Sequence, residues 1–202
     1  MRGRLLLIVP IAAVISGCGG GSGDSSAPAP ALRSAPQITG DPAHLVLDSG
    51  DIGNGFLVID SQTGKDTLRR TMQQDPAPIR AIERSSWLSG YHALYSDGQA
   101  GVLTDVALFR TDRSALRVSR SWRMSELKAF HGRLISPPAG SLAHVTMIVG
   151  WIPMRGRPVK AYFIQWVHGN VIAGILLFGR EATAARVAGL ATAQNGRISN
   201  AA

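Results

Sequence analysis

The sequence of 202 residues contains very little cysteine, glutamate and lysine. The single cysteine, Cys18, excludes an intramolecular disulfide and any metal site that needs several thiolates. Glutamate occurs only at positions 83, 126 and 181, and none of the three has another acid at a local spacing that suits general acid–base catalysis. Lysine is restricted to positions 65, 128 and 160, so arginine carries most of the formal net charge of +8.

Catalytic and cofactor-binding motifs are also missing from the sequence. It contains no Gly-x-Ser-x-Gly, no HExxH and no G-x-G-x-x-G pattern. Asp48, Asp51 and Asn54 follow one another at intervals of three, whereas an EF-hand loop uses intervals of two, so a polar turn is favoured over a calcium site. We therefore expect neither a metal nor a cofactor.

The five histidines, at positions 44, 92, 131, 144 and 168, show no spacing typical of a metal site or a local catalytic motif. We expect structural or surface roles for them. A hydrolytic site would have to assemble from residues that are distant in sequence, for example two of the histidines together with Asp105.

The N-terminus has the three parts of a secretory signal. Two arginines precede an apolar run over residues 5–15, which is too short to span a bilayer comfortably, and small residues follow it. The tetrapeptide Ile15-Ser16-Gly17-Cys18 resembles the lipobox of bacterial lipoproteins. That resemblance implies cleavage before Cys18, attachment of diacylglycerol to its thiol, and N-acylation by a chain such as palmitate. The alternative is an ordinary signal peptide with an incidental cysteine.

Three regions are expected along the chain: a signal peptide over 1–17, a lipidated cysteine and flexible tether over 18–40, and one globular domain over 41–202. The tether is rich in Gly and Ser and then in Ala and Pro, a composition that cannot form a core. Loss of the signal removes two arginines and leaves a net charge of about +6, which favours anionic partners. The anchor argues against nucleic acid as that partner.

A β-hairpin is the clearest element of the globular part. Residues 159–168 (VKAYFIQWVH) and 171–178 (VIAGILLF) are apolar and β-rich, and Gly169-Asn170 between them suits a two-residue type II′ turn. This turn sets Trp166 opposite Ala173 and Tyr162 opposite Leu177. Because both faces of the hairpin are apolar, both must be covered by other parts of the domain.

The remaining elements follow from hydrophobic periodicity and turn residues. Strands are predicted over residues 56–60, 90–95, 102–109 and 142–151. Helices are predicted over residues 65–74, 113–127 and 181–194, and from Asp75-Pro76 through Ser86. In the helix from Asp75-Pro76 through Ser86, Glu83 is expected to face outward, and Asn195-Gly196 is expected to end the helix over 181–194. Loops are predicted over residues 49–55 and 152–158.

A faint internal repeat aligns residues 106–118 with residues 175–187 without gaps. Each copy is a strand that leads into a helix, and each follows a hairpin, so the chain reads either as a duplicated hairpin–helix unit or as a chance similarity of two such segments. The predicted fold class is α+β, an antiparallel sheet covered by helices. This element order, with the lipobox, resembles secreted lipoproteins of unknown function and the α/β sandwich of the PsbP and Mog1 group. No functional residue is transferred from that resemblance.

Two groups of side chains are candidate binding residues. One is an arginine face on the helix over 113–127, which would suit an anionic surface but is equally typical of a solvated outer face; its members are Arg113, Arg117, Arg120 and Arg123. The other is a set of aromatic side chains that would line an apolar pocket if the sheet curves, and would otherwise be core residues; its members are Tyr91, Tyr95, Tyr162 and Trp166.

The sequence therefore favours a lipid-anchored protein of the cell envelope, on the extracytoplasmic side, with a non-enzymatic binding or structural role. Its partner would be the membrane, through the anchor on Cys18, together with an envelope protein, an anionic polymer or a small apolar ligand. The alternative function is an envelope hydrolase with a site built from dispersed histidines and aspartates.

Overall fold

The computed structural model describes residues 37–67, 77–142 and 144–202. These residues form eight strands: β1 (Leu57–Val58), β2 (Gly64–Asp66), β3 (Trp87–Ser96), β4 (Ala100–Phe109), β5 (Arg133–Ile135), β6 (Thr146–Met154), β7 (Arg157–His168) and β8 (Val171–Gly179). The α-helices are α1 (Ser49–Ile52), α2 (Ala77–Ser86), α3 (Asp112–Ala129) and α4 (Ala184–Asn200). Short 3-10 helices cover Pro42–His44 and Asp60–Gln62.

The eight strands form one sheet in the order β1-β3-β4-β8-β7-β6-β5, and β2 pairs with β3 beside β1. Every pairing is antiparallel. The β7–β8 hairpin has the predicted register, with Trp166 opposite Ala173 and Tyr162 opposite Leu177. Gly169 has a φ of 56°, as the first position of a type II′ turn requires. The predicted fold class, an α+β antiparallel sheet covered by helices, is confirmed.

Each face of the sheet is covered by different elements. The larger core lies between one face, the helix α4 and the segment that begins at Ile38, and it contains Val106, Ile164 and Ile175. The smaller core lies on the other face beneath α2 and α3, and it contains Phe109 and Ile172. Both faces of the β7–β8 hairpin are therefore covered, as its two apolar faces predict.

The hairpin–helix order occurs twice, as β3-β4-α3 and as β7-β8-α4. The helices, however, lie on opposite faces: Val118 of α3 belongs to the smaller core and Val187 of α4 to the larger one. The two units are therefore similar in order and in strand pairing, but a simple twofold rotation cannot superpose both their strands and their helices.

The last helix extends further than predicted. Asn195-Gly196 does not end α4, which continues to Asn200. The physical reason lies on the buried side of the helix, where Ile198 is fully buried and extends the apolar stripe by one more turn. The side chain of Asn195 accepts a hydrogen bond from Trp166 Nε1 at 3.1 Å and so serves tertiary packing instead of a cap.

Glu83 is also placed differently from its prediction. It does not face outward but is fully buried, and its Oε1 accepts a hydrogen bond from Trp122 Nε1 of α3 at 3.2 Å. A carboxylate can be buried when polar groups donate hydrogen bonds to it. Hydrophobic periodicity within one helix does not reveal a hydrogen-bond donor on another helix.

The connection between β6 and β7 is a tight turn where a loop over 152–158 was predicted. Strand β6 begins four residues later than expected, at Thr146, and continues through Met154. Arg155 and Gly156 both have positive φ, at 51° and 77°, which is the conformation of a two-residue type I′ turn. Arginine is uncommon at such a position, so the turn carries no clear sequence signal.

The N-terminal part of the domain contains two further differences. The predicted loop over 49–55 includes the short helix α1, and the start of the predicted helix over 65–74 is strand β2. Residues 68–76, with Asp75-Pro76, lie outside the described residues.

The folded part includes residues before position 41. Ile38 is fully buried, and its backbone N–H donates a hydrogen bond to Asn170 Oδ1 at 2.9 Å.

Candidate functional site

A cleft of about 590 Å³ opens on the larger-core face, where residues 43–63 pass over strand β3. Its floor is formed by Tyr91, Ala93 and Tyr95, which alternate along β3 and therefore point to the same side. Phe56 and Leu57 form an apolar wall. The cleft is thus a concave surface in which three aromatic side chains, Phe56, Tyr91 and Tyr95, lie among other apolar and polar residues.

Tyr95 joins the floor of the cleft to the segment above it. Its ring is buried, and its hydroxyl donates a hydrogen bond to the backbone oxygen of Leu47 at 2.9 Å. Burial, together with the negative charge of Asp48, raises the pKa of the Tyr95 hydroxyl, so this group stays protonated and keeps donating. The contact holds one wall of the cleft in place.

The rim of the cleft carries charge. Asp48 caps α1 by accepting hydrogen bonds from the backbone N–H groups of Gly50 and Asp51. The Arg197 guanidinium of α4 lies 2.5 Å from Asp48 Oδ2 and 2.6 Å from Asp51 Oδ2. The hydrogen bond from Arg197 is the main reason why the pKa of Asp48 is lowered. Asp48 and Asp51, whose spacing in the sequence resembles a calcium loop, thus cap α1 and hold the last helix, α4, against the cleft.

The four candidate aromatic residues do not form one pocket. Tyr91 and Tyr95 line the cleft, whereas Tyr162 and Trp166 lie on β7 in the central part of the sheet. Trp166 is buried under α4, and Tyr162 packs at the edge of the larger core. The other wall residues, such as Phe56 and Leu57, come from a segment that the sequence marked only as a brief strand.

The arginine face is present on α3. Arg113, Arg117 and Arg120 are exposed, and Arg123 is half-buried. The opposite side of the helix packs into the smaller core through Ala115 and Val118. Thr111 caps the helix by accepting a hydrogen bond from the Ser114 backbone N–H. The geometry fits both interpretations of this face, an anionic-surface contact and a solvated outer side.

Asp66, His92 and Asp105 meet on the smaller-core face of β2, β3 and β4. The register pairs His92 with Asp105, and His92 Nδ1 lies 2.9 Å from Asp66 Oδ1. Burial, and to a lesser degree the charge of Asp66, raises the pKa of Asp105 from 3.8 to about 7, while His92 acts in the opposite direction. Of the five histidines, His92 is the one paired with Asp105; His168 instead contacts Asn195. Two histidines therefore do not converge on Asp105.

Glycine makes room for the Asp105 carboxylate. Gly174 of β8 pairs with Asp105, and a Cβ at this glycine would lie 2.7 Å from Asp105 Oδ1. A larger residue at position 174 would push the carboxylate off the sheet, so the cluster depends on this glycine.

Within the described ranges, no helix is long and apolar enough to cross a membrane. The same residues contain no group of three or more histidine, cysteine and acidic side chains arranged to hold a metal ion.

Comparisons with known proteins found similarity to solved structures but not to any family model or curated sequence. No family model matches the chain, and no curated protein matches it in sequence. Among solved structures, the chain is similar to the extracellular domain of PknH from Mycobacterium tuberculosis, with 11% sequence identity and a TM-score of 0.48. The likeness covers 76% of this chain and 94% of that domain.

Proposed function

We propose that the protein is a lipid-anchored, non-enzymatic binding domain on the extracytoplasmic side of the cell envelope. The observation that carries the binding role is the cleft of about 590 Å³ between β3 and residues 43–63. The lipobox at residues 15–18 supports the anchor, because it follows a secretory signal and contains the only cysteine of the chain.

The lining of the cleft favours a small, mostly apolar ligand that carries a polar group. Tyr91, Tyr95 and Phe56 offer aromatic contact, and His44 and Arg197 offer hydrogen-bond donors at the rim. An anchor on Cys18 would hold this cleft near the membrane and so raise its effective concentration toward ligands of the envelope. An envelope protein or an anionic polymer, which would use the exposed arginines of α3, is the second class of partner.

Replacing Cys18 by alanine is expected to move the protein from the membrane fraction to the soluble fraction. The thiol is the proposed site of diacylglycerol attachment, and acyl chains provide membrane affinity at about 0.8 kcal/mol per buried CH₂ group. Intact mass spectrometry and membrane fractionation of wild type and Cys18→Ala measure this directly. Wild type should be lighter than the precursor by the signal segment and heavier by the acyl chains.

Ser22→Ala serves as the control for the anchor, because it changes a nearby residue of the proposed tether without touching the thiol. It should fractionate like wild type. If wild type and Cys18→Ala are both soluble and unmodified, the lipobox interpretation and the proposed location are both wrong. The proposed binding role of the cleft does not depend on this result.

Replacing Leu57 by aspartate is expected to weaken binding of the neutral apolar dye Nile red about tenfold, because one apolar contact worth about 1.4 kcal/mol is lost. Leu57 lines the cleft and is 74% exposed, so the substitution does not disturb the core. Fluorescence titration of the folded protein measures the affinity. Leu116→Asp on α3, at a residue that is 47% exposed and outside the cleft, is the matched control. Equal affinities of the two variants would show that the dye does not use the cleft.

An envelope hydrolase is the alternative function. The observation that favours it is the Asp66–His92–Asp105 cluster, in which two carboxylates flank one histidine. A histidine held by a carboxylate can act as a general base toward water. The cleft is the better supported site because it is open to a ligand, whereas the cluster lies on the face that α2 and α3 cover.

A further inference from the structure

Charge is distributed very unevenly along the chain. No aspartate or glutamate occurs between Glu126 and Glu181. The same stretch contains six cationic residues, at positions 128, 133, 155, 157, 160 and 180. It forms β5, β6, β7 and β8, so the β5 end of the sheet has cations without any carboxylate from its own strands. Such a surface attracts anions.

A groove of about 240 Å³ lies within this cationic end of the sheet. His131, Arg133, Trp151 and Lys160 line it, together with Val149 and two glycines. Pairing places Arg133 opposite Val149 and Trp151 opposite Lys160, and residues 149 and 151 share one side of β6. The pairing of the strands therefore holds the side chains of Arg133, Trp151 and Lys160 on one face of the sheet.

The backbone fixes the shape of the groove. The N–H of Trp151 donates to the backbone oxygen of Phe130 at 3.0 Å, which ties β6 to the end of α3. A Cβ at Gly150 would lie 2.4 Å from the same oxygen, so only glycine permits this close approach. The wall that carries His131 is consequently held against β6 without reliance on flexible side chains.

Trp151 is unusual because 54% of it is exposed while it lines a groove. Lys160, its cross-strand neighbour, has its ammonium 5.0 Å from the centroid of the Tyr162 ring. Neither Arg133 nor Lys160 forms an ion pair with any carboxylate in the described part of the chain. An aromatic face and two cations that form no ion pair within the described residues thus stand side by side at the surface.

We propose that this groove binds an anionic glycan. The exposed face of Trp151, which carries the negative end of the ring quadrupole, packs on the C–H groups of a sugar ring. Arg133 and Lys160 pair with the carboxylate or phosphate groups of the same glycan. This inference is independent of the cleft and of the anchor, since it uses neither Tyr91 nor Cys18.

The observations favour a glycan over an anionic membrane surface. A membrane contact needs several apolar side chains that enter the lipid from one side. Among the described residues, the two large exposed apolar residues at this end of the sheet, Trp151 and Leu134, instead lie on opposite faces, because Leu134 pairs with Ile148 and Trp151 shares a side of β6 with Val149. The turn that follows β6 presents Arg155, Gly156 and Arg157, which are polar or small. A concave groove beside one aromatic ring matches a sugar unit better than it matches a flat bilayer.

The test is isothermal titration calorimetry of tetragalacturonate against the full chain with Cys18→Ala, in which no lipid contributes. Binding is expected, with maltotetraose, the neutral counterpart, at least about tenfold weaker because it lacks the charges. Trp151→Ala should weaken tetragalacturonate binding about tenfold or more, as loss of a stacked ring does elsewhere. Arg133→Gln and Lys160→Gln should each weaken it about three- to tenfold and reduce its sensitivity to salt.

Arg84→Gln on α2 is the matched charge control, since Arg84 is exposed, lies on another element and belongs to neither group of candidate binding residues. It should leave the affinity unchanged, and circular dichroism should show that all variants stay folded. The proposal is overturned if tetragalacturonate does not bind, or if Arg84→Gln weakens binding as much as Lys160→Gln. It is also overturned if Trp151 is needed for binding to phosphatidylglycerol vesicles but not to tetragalacturonate, which would identify a membrane contact.

Discussion

Replacing Asn170 by alanine is expected to lower the free energy of unfolding by about 3–5 kcal/mol, because several buried polar groups lose their partners together. Asn170 is 2% exposed. Its Nδ2 donates to the backbone oxygens of Ile38 at 2.9 Å and Phe109 at 2.7 Å, and its Oδ1 accepts from the Ile38 N–H. Alanine removes all three hydrogen bonds and leaves three backbone groups unpaired, and each such group costs about 1–3 kcal/mol.

Urea unfolding monitored by circular dichroism measures this loss. Asn200→Ala, at an exposed position in the last turn of α4, is the matched control and should change the free energy of unfolding by less than about 0.5 kcal/mol. Hydrogen exchange adds a local readout, because the Ile38 N–H should lose its protection first. A destabilisation below about 1 kcal/mol for Asn170→Ala would mean that Asn170 does not hold the N-terminal segment.

Replacing Asp105 by asparagine is expected to change how stability depends on pH. Folding raises the pKa of Asp105 from 3.8 to about 7 because the side chain is buried beside Asp66. The folded state therefore binds this proton more tightly than the unfolded state, so the contribution is fully present below about pH 4 and is lost as pH rises through about 7. Three pKa units correspond to at most about 4 kcal/mol.

Melting temperatures of wild type and Asp105→Asn between pH 4 and pH 8 test this. Wild type should lose stability relative to the variant as pH rises, and the difference should level off above pH 7 to 8. Asp60→Asn, at an exposed aspartate, is the control and should parallel wild type. Parallel curves for wild type and Asp105→Asn would show that Asp105 is ionised in the folded protein throughout.

The sequence predicts the central hairpin well because local chemistry determines it. Gly169 fixes a two-residue turn, and a turn of known length sets which residues of β7 and β8 face each other. The helix over residues 113–127 is equally accessible to sequence reasoning, since Thr111 and Asp112 are typical of a helix start and Val118 belongs to an apolar stripe.

Features that depend on distant partners are not predictable in this way. Glu83 has the pattern of an outward residue, and only the approach of Trp122 from another helix explains its burial. Arg155 gives no sign of the positive φ that it adopts in the β6–β7 turn. The cleft is hidden for the same reason, because its wall and its floor come from segments that meet only in the folded chain.

The groove at Trp151 shows most clearly which features cannot be predicted from the sequence. Its cations are separated in sequence by more than twenty residues, at Arg133 and Lys160, and only the order β7-β6-β5 brings them to one face. The arginine face of α3 is obvious from helical spacing, but a regular charge pattern on one helix is also what an ordinary solvated surface produces.

Because β8 and α4 come late in the sequence, the domain cannot complete its core while it is being synthesised. Strand β4 has β8 as one of its two neighbours, so Leu103 of β4 has no partner on that side until Leu176 of β8 has been synthesised. The segment that begins at Ile38 likewise cannot form its hydrogen bond with the Asn170 side chain until residue 170 has been synthesised. Such long-range pairing delays folding until nearly all of the chain has emerged. The chain therefore stays open until β8 and α4 are available, and its final structure forms in one late step.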